Sequence, residues 1–470
     1  MSYNKKIHIS CSAEYYSRVD WFGRLLSTRL RCDVPFNIKI IYRSEEMNHV
    51  PDEGINLNIP VRQTTREEIS RVFEKISTNS WIKRSGQNFI LDVDLVQFAI
   101  WILGREEEYT QRNDPDVWDK HCRFKIEKTL AYQKGLWQKP VLDILLVQLI
   151  EKIENGLKID IVNRTPWGDE KNKAVWLTHD VDKLIGKYGL PIRILGWTGF
   201  ALQELARGNK KGFFKWISKC KYWLSIEDDP TYGSIKKILD EEKQVNAKST
   251  FYFMGLKYGV SLQEGIRYPI NHRMAIKVIQ ELKRTGCSVG LHPVYHKPYD
   301  EEYLNSQKVN LEKVLGEKVH LDRNHYLRVR YPDSWNIEEK NGFYLSSNVG
   351  WTSHNGFRAG TCWPYQPYDV INNKPFSIIE VPLIYMDNTS KDDCAIIQEV
   401  LSLAEAVSSV HGLLTINFHS NILDDSESSY KGAAYRKLLG VFHEQSWHFI
   451  LEEDILNSFI QLNRQKYEYQ

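Results

Sequence analysis

Ala174-Val175-Trp176-Leu177-Thr178-His179-Asp180-Val181-Asp182 is the stretch on which the reading of the chain turns. Five apolar or β-favouring residues run into a polar cluster, as a buried strand does when it reaches a sheet edge. Strand side chains alternate in direction, so Asp180 and Asp182, two residues apart, point to the same side. One of them can bind a metal while the other acts as a base. Alone, the tetrapeptide His179 to Asp182 reads equally well as a capping and turn cluster.

Further β-rich runs occur at Ser249 to Phe253, Cys287 to Leu291, Ile378 to Pro382 and Leu413 to Phe418, separated by helical patterns. The helix from Met274 to Lys283 carries Ile276, Ile279 and Leu282, stops at Gly286 and leads straight into the run at Cys287. Alternation of strands and helices implies a parallel sheet or barrel. Upstream, Asn37 to Tyr42 and Phe89 to Val93 read as strands, the second feeding a helix capped at Asp92 or Asp94 that runs through Phe98 and Leu103. Val141 to Glu154 reads as a helix stopping at Gly156. We therefore expect an α/β N-terminal domain over residues 1–160, a polar linker with Pro166 and Gly168 over 161–173, and a distorted (β/α)7-type barrel over 174–470.

The chain has 470 residues, 42% of them hydrophobic, enough for two or three domains. With 62 Lys and Arg against 60 Asp and Glu, no global field favours nucleic acid. The start lacks the apolar centre of a secretory signal, and the longest apolar run, Leu95 to Leu103, is far too short for a bilayer. A cytoplasmic location is the expectation. Seven scattered cysteines without a CxxC pair fit free thiols in a reducing compartment.

Residues 183–224 interrupt the pattern after the first strand. They hold nine Lys and Arg, one acidic residue, Glu204, and eight aromatics. One reading is a solvated helical insertion whose aromatics pack on the barrel. The other is a peripheral contact with an anionic membrane or glycolipid, since basic, Trp-rich amphipathic segments favour such interfaces.

The metal-competent residues fall where strands end, which is where α/β proteins assemble their sites. The run Ser288-Val289-Gly290-Leu291 delivers His292, with His296 four residues on. Two imidazoles at that spacing share a cation if the loop turns helically after Pro293, although Lys297-Pro298 pulls the other way. Asp plus two His suits a borderline divalent ion, Zn²⁺ foremost, with Co²⁺, Mn²⁺ or Ni²⁺ acceptable. Leu413 to Phe418 ends in His419, which brings a group titrating near neutrality to the same rim, unless it is a core histidine bonded to backbone. In Arg323-Asn324-His325-Tyr326-Leu327, the Arg is either a cation orienting Asp180 or a surface charge.

Together these motifs resemble the polysaccharide deacetylase family, the NodB-homology fold or carbohydrate esterase family four, over roughly residues 172 to 455. The resemblance implies Asp180 as base, Asp182, His292 and His296 as metal ligands, Arg323 as the group positioning the base, with Pro332 closing its segment, and His419 as acid. A backbone N–H near Tyr295, or Arg358, would help to hold the tetrahedral oxyanion. The segments Gly356 to Thr361 and Glu380 to Asp387 are similar to a subgroup with an extra N-terminal domain. Leu345-Ser346-Ser347-Asn348 departs from the acidic residue often found there, which bears on the substrate-side network. The function this implies is that of a metal-dependent hydrolase removing acetyl groups, foremost N-acetyl, from a glycan or glycolipid intermediate. Two rivals stand beside it: hydrolysis of another C–N amide bond in a small substrate, and a non-catalytic glycan-binding member of the fold.

Overall fold

The computed structural model describes residues 5–30, 36–43, 55–78, 80–159, 167, 173–184, 190–219, 230–258, 260–261, 265–387, 392–424 and 429–463. The expected linker and the end of the basic insertion fall almost wholly outside these.

The N-terminal sheet contains β1 (Lys5–Cys11), β2 (Phe36–Arg43), β3 (Ile55–Pro60), β4 (Ile82–Ser85) and β5 (Asn88–Leu91) in the order β1-β2-β3-β5-β4. All neighbours are parallel except β4 with β5. Against it pack α1 (Tyr16–Ser27), α2 (Arg66–Lys75), α3 (Leu95–Leu103) and α4 (Val141–Leu157). Asp94 caps α3 by accepting from the Gln97 N–H, in keeping with its sequence position. All nine residues of α3 are buried. A helix apolar on every side belongs between two layers, and α3 lies between this sheet and the rest of the chain. The helix α4 runs past the expected stop at Gly156 and ends where Lys158 adopts a left-handed conformation (φ 56°).

The second sheet begins with β6 (Ala174–Val181), every residue of it buried, and β7 (Ser249–Phe253). It continues with β8 (Ser288–Leu291), β9 (Leu321–Asp322), β10 (Leu345–Ser346), β11 (Ile379–Glu380), β12 (Tyr385–Met386), β13 (Leu413–Asn417) and β14 (His448–Phe449). Its order is β11-β10-β9-β8-β7-β6-β13-β12, with β14 also on β6, and all pairs are parallel. The two outermost strands, β11 and β12, are joined directly by residues 381–384. The Val381 N–H donates to Ser346 O and the Ile384 N–H to Thr415 O, so β11 and β12 act as one stave and, β14 aside, the sheet closes as a distorted (β/α) barrel of seven staves, preceded by a smaller α/β domain. The intervening helices include α5 (Leu190–Ala206), α6 (Lys210–Lys219), α7 (Pro230–Gln244), α8 (Arg273–Thr285) and α9 (Glu301–Leu315).

Charged groups seal the seam between the two sheets. Arg358 of the barrel makes a two-pronged pair with Glu108 (2.8 and 3.0 Å), and Arg105 joins the same carboxylate at 2.6 Å. Asp143 on α4 accepts from Arg29, from the Thr361 hydroxyl and from the Cys362 N–H, each at 2.8 Å. The Gly-Phe-Arg-Ala-Gly-Thr segment therefore clasps the N-terminal domain. Gly360 sits at φ 62°, and a Cβ there would stand 2.2 Å from Ile102 of α3, so the close approach needs glycine. Burial pushes the Glu108 carboxyl up, but the two guanidiniums outweigh this and hold it below its usual range.

Removing Glu108 strands two buried cations, a loss of the order of 3–5 kcal/mol for a broken buried pair. Glu108→Ala should lower the urea midpoint of the chain accordingly, and an unchanged midpoint would contradict the seam.

Candidate active site

Each site residue sits on, or just past, the carboxyl end of a barrel strand, held by hydrogen bonds that prolong the parallel ladder. The His292 N–H donates to Phe253 O (2.7 Å), Arg323 N–H to Leu291 O (3.0 Å), Asp387 N–H to Asn417 O (3.2 Å) and Phe418 N–H to Thr178 O (3.1 Å). Adjacent staves thus deliver Asp180 and Asp182, His292, the segment 323–325, Asp387 and His419 to one rim. All of these except the buried Arg323 line a cavity of about 430 Å³, within the range of small-molecule sites.

At its floor, ligand atoms of Asp182, His292 and His325 lie within 4.8 Å of one another. Asp182 Oδ1 is 3.2 Å from His292 Nε2, and Asp182 Oδ2 is 3.5 Å from His325 Nε2. The His292 Nδ1 faces Arg323 O at 2.5 Å, so the proton belongs on Nδ1 and the Nε2 lone pair faces inward. Both His292 Nε2 and Asp182 Oδ1 are buried without a well-formed hydrogen bond. Burial pushes the Asp182 carboxyl up, but neighbouring His325, His292 and His419 hold it well below its usual range. One carboxylate and two imidazoles, anionic and partly orphaned, fit a divalent ion with positions left open.

His296 is not in this cluster. The loop does not turn helically after Pro293; it bends through Lys297 (φ 53°), and the His296 ring packs edge-on against Tyr303 of α9 at 6.0 Å. The third ligand position goes to His325, whose near neighbour Arg323 stands out in the sequence only as a cation.

Asp180 is clamped from two sides. Its oxygens receive Arg323 Nη1 (3.3 Å) and Asn417 Nδ2 (2.9 Å), and Arg323, itself fully buried, also reaches Thr178 and both the carbonyl and hydroxyl of Ser347. His419 Nδ1 meets Asp387 Oδ1 at 2.5 Å, and Lys431 holds the other Asp387 oxygen at 3.4 Å. Burial works against an imidazolium, yet Asp387, with Asp182 and Asp180 behind it, raises His419 to about 9. Asp387 and Asn417, which hold these two groups, are positions that strand-end motifs do not single out.

Tyr295 and Arg358 do not line the cavity. The Tyr295 hydroxyl lies 3.3 Å from His121 Nδ1, and Arg358 is committed to Glu108. His179 is structural, fixed between Phe418 O and Glu242. Asn348 lies beneath the site, not on its substrate side: its side chain receives the Asn324 N–H (2.6 Å) and donates to Asp322, Glu338 and Ser346. There burial raises the Asp322 carboxyl to about 8.

Residues 30–157 match the model of a family of unknown function, DUF7033. No curated protein sequence matches the chain. Among solved structures, it is similar to a putative polysaccharide deacetylase from Mycobacterium smegmatis at 14% identity, covering 64% of this chain and 94% of that one with a TM-score of 0.42. It is also similar to the peptidoglycan deacetylase PdaC from Bacillus subtilis, at 12% identity, 63% and 94% coverage and a TM-score of 0.31. A family 4 carbohydrate esterase from Streptomyces lividans aligns at 12% identity, with 64% and 98% coverage and a TM-score of 0.30. The chemistry open to the site is set by its own side chains.

Zinc titration of metal-free protein should separate the two candidate third ligands. His325→Ala should lose more affinity than the roughly 10–100-fold typical of an outer partner, while His296→Ala should bind as wild type does; the opposite ranking would restore His296.

Proposed function

We propose that the chain is a metal-dependent hydrolase that removes acetyl groups, foremost N-acetyl, from a glycan or glycolipid intermediate. The observation that carries it is the pairing of an Asp-His-His cluster with a clamped free carboxylate and a carboxylate-backed histidine around one cavity. Asp182, His292 and His325 would hold the ion, Zn²⁺ foremost, which would supply Lewis acidity toward a carbonyl and a water. Asp180, aimed by Arg323 and Asn417, takes a proton from the attacking water. His419, charged through Asp387, gives a proton to the departing amine. Lys431 anchors Asp387 in turn, and the acid and base line the same cavity.

Among the described residues no tryptophan lines the cavity, and Tyr326 is its aromatic, which suits a short portion of a glycan. The same modest size favours the second reading, hydrolysis of a small amide. Acetate release from acetylated oligosaccharides decides between them. Wild type should release acetate, a chelator should abolish it, and Asp180→Ala should reduce it by about 10²–10⁴-fold. Chelator-insensitive release, or none from any acetylated glycan, would overturn the proposal.

The insertion supports a peripheral contact with an anionic membrane. Its helices α5 and α6 pair through Phe200 and Trp216, with ring centroids 4.9 Å apart. Leu195, Phe200, Leu202, Leu205, Phe214 and Ile217 remain exposed, Leu195 by 72%. Arg207, Lys210, Lys211 and Lys215 are exposed beside them. Among the described residues no helix is long and apolar enough to cross a membrane. An apolar face rimmed with cations matches the surface of an anionic bilayer. The protein should sediment with phosphatidylglycerol-containing vesicles and not with pure phosphatidylcholine, and the Leu202→Glu/Phe214→Glu double variant should stay in solution. Equal recovery with both vesicle types, or self-association in place of binding, would refute the contact.

A further inference from the structure

One side chain lining the cavity, Arg123, does not come from the barrel. Residues 117–125 of the N-terminal domain form a tight turn. The Trp118 and Phe124 backbones bridge, Lys125 N–H donates to Val117 O, and Asp119 Oδ1 receives the His121 and Arg123 N–H groups at 2.8 and 2.9 Å. The barrel grips this turn from below. Arg328 donates to His121 O (3.0 Å) and Tyr295 O (2.7 Å), and the His121 ring packs against Tyr295 and Tyr326 at 5.7 and 5.1 Å. The result is that Arg123 and Tyr326 both line the cavity beside the ligand His325, with the guanidinium 6.0 Å from the Tyr326 ring centroid.

Neither residue is there by default. Tyr326 is 41% exposed and held at φ 64°, with Leu327 also left-handed at φ 47°. Bulky residues adopt that conformation in succession only where the surroundings impose it, and such strain gathers at ligand sites. An exposed tyrosine face is a natural platform for a sugar ring. Asp119 Oδ2 fixes Arg123 through Nε (2.8 Å) and Nη2 (2.6 Å). Those two contacts leave three of the five guanidinium N–H donors uncommitted to Asp119. Lys183, Arg267 and Lys431 also line the cavity, against the carboxylates Asp180, Asp182 and Asp387. With a divalent ion bound, positive charge predominates, and such a cleft selects negatively charged ligands.

We propose that the N-terminal domain is a wall of the substrate cleft, and that Arg123 over Tyr326 forms a subsite for a sugar unit bearing an oxyanion, carboxylate or phosphate, next to the acetylated unit. This rests on the glycan reading above and narrows it to an anionic glycan. The N-terminal domain then serves to present one cationic turn to the barrel's rim.

The test is calorimetric binding to zinc-loaded Asp180→Asn protein, which holds ligand without turnover. The probes are a neutral N-acetylglucosamine tetramer, a tetrasaccharide alternating N-acetylglucosamine with glucuronate, and N-acetylglucosamine 1-phosphate. One anionic probe should bind about tenfold more tightly than the neutral tetramer at low salt, with the preference fading as salt screens it; which probe wins distinguishes carboxylate from phosphate. Adding Arg123→Gln should collapse that preference toward parity, whereas Tyr326→Ala should weaken all probes alike and keep it. No preference for either anion, or an Arg123→Gln protein that loses affinity for every probe in proportion, overturns the subsite. Acetate release from the neutral tetramer without charge preference would sink this proposal alone. Charge-selective binding without acetate release from any probe would sink the deacetylase reading alone.

Discussion

Everything at this site depends on the parallel ladder running on past the ends of the strands. Backbone N–H groups at 292, 323, 387 and 418 each bond to a carbonyl of the adjacent stave, so chain segments more than a hundred residues apart leave the barrel in fixed register. Backbone bonds of this kind are short and directional. They leave no freedom for the carboxylate on one stave to drift from the imidazoles on the others. A ligand set with buried, poorly satisfied polar atoms is costly to keep. The ladder holds it in place at the strand ends, where α/β proteins assemble their sites.

The groups behind these side chains make the arrangement chemically directional. Asp180 and Asp182 leave the same strand on the same side, yet their surroundings differ. Asp180 meets Arg323 and Asn417, while Asp182 meets imidazoles. The first is held as an aimed carboxylate; the second faces two imidazole nitrogens, as a metal ligand does. His419 takes its charge from Asp387, which Lys431 anchors in turn. Two carboxylates and a histidine at one rim thereby stand in three different environments.

The N-terminal domain is joined to this centre by more than a linker. Glu108 and Asp143 each bind barrel groups inside the seam, and α3, apolar on every side, fills the space between the layers. Such a seam makes the domain part of the barrel's frame. The turn at residues 117–125 therefore reaches the cavity from a rigid base, so a side chain carried on it has a defined place against the ligand loop.

Much of the fold is legible in the chain itself. Periodicity and capping residues place strands at 37–42, 174–178, 249–253 and 413–418 and helices at 95–103 and 274–283 to within a few residues, because those signals are local. Strand-end position likewise brings out Asp180, Asp182, His292 and His419, while Arg323 is singled out only as a cation. The same local reasoning selects His296, since four-residue spacing suits an ion only on a helical turn, and whether the loop makes that turn is set by Lys297 and by Tyr303 on α9. His325 reaches the cluster through pairing between β8 and β9, which no spacing encodes. Arg358 reads as part of the chemistry and belongs to the seam, for its partner Glu108 lies 250 positions away. The sequence determined which residues could carry charge to a strand end; only tertiary structure decided which of them meet, because contacts between distant staves arise from register and burial rather than from any local preference.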